Sequence, residues 1–194
     1  MDDYKVRPRS AKAIEEITLA WRDTLGVPND WAPDIVRLLE SKLPNLISTF
    51  GLIVRTDAEM GEAEAYTEFN PPHIAVRESV YHLARKGDGR SRMTFAHELG
   101  HLVMHPGATK LRGEARLENG PKIKPYESAE WQANKFASLF LMPRHIAMQF
   151  TSPSQLAECC QTSAQAAAIR FGELDQKSKP LPICVREIIE RELE

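Results

Sequence analysis

The chain has few cysteines, no long apolar run and no excess of positive charge. Its three cysteines are Cys159, Cys160 and Cys184, which cannot form a disulfide framework. No apolar stretch approaches the roughly 18 residues that indicate a membrane span, and the first residues contain no apolar signal segment. These absences predict a cytoplasmic protein without a membrane anchor.

The charge balance also excludes a broad positive field. There are 25 basic and 27 acidic side chains, which give a formal net charge of −2. Proteins that hold a phosphate backbone usually present a basic face, so direct nucleic-acid binding is not expected. A chain of 194 residues is long enough for one domain with a substantial core, and we therefore look for one main site.

Apolar periodicity in the first part of the chain predicts two helices and two strands. The first helix covers 11–25, with Ser10 as its N-cap, and the second covers 33–43 and stops at Pro44. The segments 46–54 and 73–76 are rich in β-branched and apolar residues and are predicted to be strands. A small sheet beside helices follows from this pattern.

The second half of the chain contains two stronger helices. Residues 91–105 form a helical pattern ended by a Pro-Gly pair, and residues 126–141 form another, closed by Pro143. Between them, 108–125 is polar and without periodicity, which predicts a long loop of the kind that is often functional. From 152 onward we expect short helical pieces and a tail.

The first of these helices carries an H-E-x-x-H pattern at 97–101. Residues four apart lie one above the other on a helix, so the imidazoles of His97 and His101 can converge on one zinc ion. Glu98 is next to the first ligand and can reach the attacking water rather than the metal. The pattern predicts a metallopeptidase with Glu98 as the catalytic base.

A catalytic zinc site needs a third protein ligand. His105 continues the row of histidines, but its Cα would lie about 12 Å along the helix axis from that of His97, so we expect it at the rim or in contact with substrate. Glu130, on the second helix, is the favoured ligand, and Glu127 is the fallback. Asn134 lies one turn after Glu130 and could accept the second ring N–H of a zinc-binding histidine.

Two further roles are left open by the residues alone. A group that stabilises the tetrahedral intermediate should exist, and the candidates are His105, Tyr126, Arg92 and His145. An extended substrate could also add to a sheet edge, for which we hypothesise the strand at 73–76.

The two motif-bearing segments resemble the ImmA/IrrE-type metallopeptidases. The first reads RMTFAHELGHL at 92–102 and is followed by His105, and the second reads EWQANKFA at 130–137 and runs on to LMP at 141–143. The resemblance covers most of 9–174. It implies a gluzincin-like arrangement in which His97, His101 and Glu130 hold one zinc ion and Glu98 is the base, with replacement by Mn²⁺ left open.

The resemblance also implies a biological role. Members of this family are bacterial or phage proteins that cut a helix-turn-helix repressor and so release stress-response or mobile-element genes. The alternative is a zinc-stabilised interaction module, or a toxin–antitoxin-type partner, that binds a repressor without cleaving it. Glu98 favours the enzyme, because a structural zinc site has no use for an acid there and typically closes its fourth position with Cys or His.

These observations predict an α+β fold: a zincin-like domain at 1–150, a helical pair at 151–175 packed on it, and a C-terminal tail at 176–194. The segment 154–171 resembles a helix-turn-helix. Its second helix offers only Arg170 as a basic side chain, which favours packing on the peptidase domain over DNA binding.

Overall fold

The computed structural model describes residues 3–106 and 123–174. Helices pack with a small three-stranded sheet within these ranges, and the predicted α+β fold class is confirmed. Most of the predicted loop at 108–125 lies outside the described residues, as do Cys184 and the predicted tail at 176–194. Among the described helices, none combines the length and the apolar character needed to cross a bilayer.

The first helix, α1, spans Ala11–Thr24 and begins as predicted. The side chain of Ser10 accepts a hydrogen bond from the Ala13 amide at 3.2 Å, which satisfies one of the free donors at the helix start. One face of α1 enters the core through Ile14, and the buried Arg22 donates to three backbone carbonyls, including that of Phe140 in a later helix.

The prediction that the second helix stops at Pro44 was wrong. After the N-cap Asp34, α2 (Ile35–Arg37), a π-helical turn (Leu38–Lys42) and α3 (Leu43–Leu46) follow one another directly. Pro44 lies in the first turn of α3, a position that tolerates the missing amide hydrogen. Because α3 runs to Leu46, the strand predicted from 46 begins only at Gly51.

The sheet has the strand order β1-β3-β2. Strand β1 (Gly51–Arg55) is parallel to β3 (Pro72–Arg77), and β2 (Ala65–Phe69) is antiparallel to it on the other side. The hypothesis that 73–76 is a free edge was therefore wrong, since β3 is paired along both sides. Strand β2 and the short helices α4 (Asp57–Met60) and α5 (Glu78–Arg85) were not predicted.

The two motif helices pack directly on each other. Helix α6 spans Gly89–Met104, and α7 spans Ala129–Leu141 after a 3-10 turn at Pro125–Glu127. At their crossing, a Cβ on Gly100 would lie 3.1 Å from the Cβ of Phe136 and 3.2 Å from the Cα of Ala133, closer than ordinary contact. The glycine therefore allows an approach between the helices that a side chain would prevent.

The C-terminal helices pack on the end of this pair. They are α8 (Arg144–Ala147), α9 (Pro153–Cys160) and α10 (Ala164–Gly172), and they enclose a second apolar cluster around Met142 and Leu156. The turn between α9 and α10 contacts the start of α6, where a Cβ on Gly89 would lie 2.3 Å from the carbonyl carbon of Thr162. Arg170 is buried and donates to the Met142 carbonyl at 3.0 Å, so it faces the protein.

The segment 3–9 is extended and lies along the start of α7. It forms an isolated antiparallel bridge between Lys5 and Ser128, and the Val6 amide donates to the Glu127 carbonyl at 2.8 Å. The Ala129 amide donates in turn to the Tyr4 carbonyl at 3.0 Å. We refer to residues 3–9 as the N-terminal segment.

Candidate metal centre and active site

The two motif histidines lie one turn apart on α6 and turn their rings toward each other. The Nε2 atoms of His97 and His101 are 3.0 Å apart. Asp88 caps the helix by accepting a hydrogen bond from the Ser91 amide at 2.8 Å, so the turn that carries these rings belongs to a well-formed helix.

Glu130 reaches the same point from the first turn of α7. Its Oε2 lies 3.3 Å from His97 Nε2, and its Oε1 lies 3.5 Å from His101 Nε2. The three side chains offer ligand atoms that all lie within 4.8 Å of one another and could hold a metal ion. We refer to His97, His101 and Glu130 together as the metal cluster. The fallback ligand, Glu127, instead pairs with Lys5 at 3.2 Å.

The chemistry of these atoms fits a cation. His97 Nδ1 lies 3.0 Å from the amide oxygen of Asn134, which can only accept, so the ring proton is on Nδ1 and Nε2 carries a lone pair. Glu130 Oε1 is buried and accepts no hydrogen bond. Ligand atoms about 2.0–2.2 Å from a tetrahedral ion lie about 3.4 Å from one another, close to the separations found here.

The neighbouring imidazoles shift the pKa of the Glu130 carboxyl. Burial alone would raise its pKa, but the adjacent imidazoles of His101 and His97 outweigh burial and hold the pKa well below the usual range. The carboxylate form, which is the form that binds metals, is therefore favoured.

Glu98 lies beside the cluster and is held by the sheet. It is 2% exposed, and its Oε2 accepts a hydrogen bond from Thr67 Oγ1 at 2.7 Å. Thr67 is in β2, so this contact joins the strand to the helix that carries the histidines. The carboxyl is thus oriented without being bound to the three-residue cluster.

An open cleft of about 510 Å³ leads to these groups. Residues 62–65, which lead into β2 and include its first residue, form one wall. Helix α6 forms another with Arg90, Met93 and Thr94, and His97, Glu98 and Asn134 also line the cleft. The cleft therefore gives a ligand access to the metal cluster and to Glu98 together.

Comparison with known protein families gives a match over the part of the chain that carries both motif helices. The model of the IrrE N-terminal-like domain, Peptidase_M78, matches residues 52–171, more than half of the chain. The chain belongs to this family. No curated protein matches the chain. Membership confirms the resemblance to ImmA/IrrE-type proteins and supports a metallopeptidase-like function.

The matched region of this Peptidase_M78 domain contains α6, α7 and almost all of the sheet, but not α1 or the N-terminal segment. It also includes α9 and almost all of α10, so the helical pair is part of the region that the family shares. The division of the chain at 150 stays a prediction.

His105 does not lie at the rim of the cleft, as the sequence led us to expect. It is 3% exposed and sits behind His101, with the two Nδ1 atoms 3.1 Å apart. Its Nε2 lies 3.2 Å from Gln132 Oε1, and burial lowers its pKa to about 4. The helical row places it one turn beyond His101, beneath the N-terminal segment and away from solvent.

The other candidates for stabilising the intermediate are engaged elsewhere or exposed. Arg92 is buried and donates to the carbonyls of Gln161 and Pro33, and His145 Nε2 is 3.1 Å from the Pro28 carbonyl. Tyr126 is 42% exposed. None of their side chains has a described contact with the metal cluster.

Tyr4 is a site residue that the sequence did not reveal. Its ring stacks on His101 with centroids 6.5 Å apart and an interplanar angle of 22°, and its edge meets His105 at 6.2 Å. Burial, followed by the charges of Glu130 and Glu98, raises the pKa of Tyr4 to about 12, so the phenol keeps its proton. Its position depends on the N-terminal segment, and no motif signals it.

Proposed function

We propose that this chain is a zinc-dependent endopeptidase in which His97, His101 and Glu130 hold the metal and Glu98 is the general base. The observation that supports this most strongly is the convergence of the three ligand atoms beside a separately oriented carboxylate in an open cleft. Two histidines and one glutamate are a donor set of catalytic zinc sites, which keep a position open.

Zinc is the metal we propose, and Mn²⁺ remains open as a substitute because nitrogen and carboxylate donors accept both. When bound, zinc polarises the scissile carbonyl and lowers the pKa of a water toward about 7. The metal ligands come from two helices that pack closely at Gly100, which keeps the donors at fixed separations.

The remaining chemistry belongs to side chains of this protein. Glu98 takes a proton from the attacking water and later delivers it to the leaving amine. Thr67 holds the Oε2 atom of Glu98 and thereby fixes which way the carboxylate faces. Tyr4, with a protonated phenol beside His101, donates a hydrogen bond to the carbonyl oxygen as negative charge develops on it.

The proposed substrate is an extended segment of a protein. Among the described strands, the outer side of β2 has no partner, and its first residue, Ala65, lines the cleft. Peptides often bind by adding a strand to such an edge. This replaces the earlier hypothesis of binding at β3.

A helix-turn-helix repressor is the substrate that we propose within this class, and its cleavage would release stress-response or mobile-element genes. The support is resemblance to the family, which is an analogy and not a property of the site. The cytoplasm is the proposed location, because the adjacent free thiols Cys159 and Cys160 suit a reducing compartment.

We also propose that α9 and α10 serve as a packing element of the domain rather than as a DNA reader. Arg170, the basic residue of α10, is 5% exposed and bonds within the protein. The turn between these helices is fixed against α6 by Arg92, which donates to the Gln161 carbonyl at 2.9 Å.

The enzymatic part of the proposal is tested with Glu98→Gln. The zinc-loaded variant should cleave a protein substrate about 100 to 10,000 times more slowly than the wild type, because the general base is lost. Zinc content should be equal, since Glu98 is outside the ligand set. Glu158→Gln, on the exposed face of α9, is the matched control and should cleave like the wild type.

The substrate in this assay is a helix-turn-helix protein encoded beside this chain, and the cleavage fragments are identified by mass spectrometry. Cleavage by the wild type but not by Glu98→Gln supports the proposal. Equal behaviour of the two proteins at equal zinc content would sink the peptidase assignment, and binding without cleavage would favour the interaction module. If a general unfolded protein is cleaved and the repressor is not, the peptidase assignment stands and the repressor is rejected as the substrate.

A further inference from the structure

A buried amide on α7 is connected to the metal cluster through two histidines. Gln132 is 0% exposed, and its Nε2 donates to the carbonyls of Arg7 at 2.9 Å and Tyr126 at 2.8 Å. Its Oε1 lies 3.1 Å from Arg9 Nη1 and 3.2 Å from His105 Nε2. Carbonyls only accept and a guanidinium only donates, so these neighbours fix which end of the amide faces His105.

The orientation of the amide determines the tautomer of His105. Since Gln132 Oε1 can only accept, the proton of the buried His105 ring is on Nε2. The neutral ring then carries a lone pair on Nδ1. This atom faces His101 Nδ1 at 3.1 Å, and a hydrogen bond between two ring nitrogens holds one proton.

The tautomer of His105 in turn determines that of His101. His101 Nδ1 must supply the shared proton, which leaves a lone pair on His101 Nε2. That atom lies 3.0 Å from His97 Nε2, which also carries a lone pair, and 3.5 Å from Glu130 Oε1, so a cation and not a hydrogen bond would join the three atoms. The opposite tautomer would direct an N–H into the cluster, where it would repel a cation.

The two ligand histidines are therefore oriented by different means. Asn134 contacts His97 Nδ1 directly at 3.0 Å, whereas Gln132 acts on His101 only through His105. We propose that Gln132 is a positioning residue which, through His105, keeps the ring proton of His101 on Nδ1 and so prepares Nε2 to bind the metal. The inference rests on the proposed metal site but not on peptidase activity.

The expected effect is a change in metal affinity. Outer partners of zinc-binding histidines typically contribute about 10- to 100-fold to affinity. In Gln132→Met the acceptor for His105 Nε2–H is lost, and nothing then selects one tautomer of His105 or of His101. Zinc should bind about 10- to 100-fold more weakly, while His97, oriented by Asn134, should keep its own tautomer.

The test reads the tautomers directly, by nitrogen-15 NMR of the imidazole rings in the full metal-free chain, at a pH above the ordinary histidine range. In the wild type we expect Nε2–H on His105, whose ring lies outside the group of three ligand residues; without a cation, the Nε2 atoms of His97 and His101, which are 3.0 Å apart, can share a proton. Nδ1–H on His105 would overturn the inference, even if no variant could be prepared.

The variant adds the causal test. Gln149→Met is the control, because the Gln149 side chain donates to the His145 carbonyl and has no described hydrogen bond to His97, His101, Glu130 or His105. We expect a mixed tautomer at His105 and weaker zinc binding in folded Gln132→Met, and neither change in the control. A lower melting temperature with unchanged His105 tautomer and zinc affinity would reduce Gln132 to a packing role and overturn the inference. If the tautomers are as expected but Glu98→Gln cleaves like the wild type, the inference holds and the proposed function fails.

Discussion

The contact between the two ligand helices at Gly100 can be tested by adding one methyl group. In Gly100→Ala the new Cβ would lie 3.1 Å from Phe136 Cβ and 3.2 Å from both Cα and O of Ala133. Ordinary contact begins at 3.4 Å, so α7 must move away by a few tenths of an ångström. Glu130 lies one turn before Ala133 and moves with it.

Two effects of the substitution on the free energy of unfolding have opposite signs and partly cancel. Alanine favours a helix over glycine by about 1 kcal/mol. Overpacking of a core contact costs about 1–3 kcal/mol. The net destabilisation should therefore be at most about 2 kcal/mol, and the variant should remain folded.

Metal affinity has no such compensation. Metal–ligand distances must be met within about 0.2 Å, so displacement of Glu130 by a few tenths of an ångström matters. We expect zinc to bind about tenfold more weakly, which corresponds to 1.4 kcal/mol. The measurements are the zinc dissociation constant by chelator competition and the melting temperature of the metal-free protein.

Gly172→Ala is the matched control, because a Cβ at the end of α10 would meet nothing within 4 Å. It should leave zinc affinity unchanged. If Gly100→Ala binds zinc as tightly as the wild type while folded, the argument that close packing fixes Glu130 is wrong.

Two further substitutions separate the roles assigned around the site. Thr67→Val removes the donor to Glu98 Oε2. It should lower kcat by about tenfold at unchanged zinc content, because about one hydrogen bond is lost. An unchanged kcat would show that Glu98 is oriented by other means. Tyr4→Phe keeps the stacked ring and removes the hydroxyl, so kcat should fall by about 100-fold with KM and zinc affinity near the wild type; an effect confined to zinc affinity would make Tyr4 a packing residue.

The metal cluster was accessible from the sequence because its geometry is local. The spacing of four residues between His97 and His101 determines their common face on any α-helix, and Asn134 follows Glu130 by the same rule. Only the meeting of α6 and α7 had to be assumed. The close approach of the two helices depends on Gly100, and its role becomes clear only once Ala133 and Phe136 of α7 are known to lie against it.

Residues that act across distant segments were not accessible in this way. Thr67 reaches Glu98 from β2, a strand whose mixed polar and aromatic sequence carries no clear alternation. Tyr4 reaches His101 only because the N-terminal segment folds back over α7. The role of β3 was misjudged for a similar reason, since a strand's place in a sheet depends on partners and not on its own sequence.

His105 shows where local reasoning reaches its limit. The axial distance correctly removed it from the shared ion, but solvent exposure cannot be read from that distance. His105 is buried beneath the N-terminal segment, where it contacts His101 and Gln132.

The docking of the N-terminal segment on α7 implies a thermodynamic linkage. Arg7 and Arg9 orient Gln132, and Tyr4 stacks on His101, so the contacts that position the metal ligands are complete only while this segment is docked. Coupling of two equilibria is reciprocal. If docking of the segment raises zinc affinity by some factor, zinc binding raises the equilibrium constant for docking by the same factor. Metal loading should therefore slow amide hydrogen exchange at Val6 and Arg9, which lie far from His97, the first proposed metal ligand, along the chain.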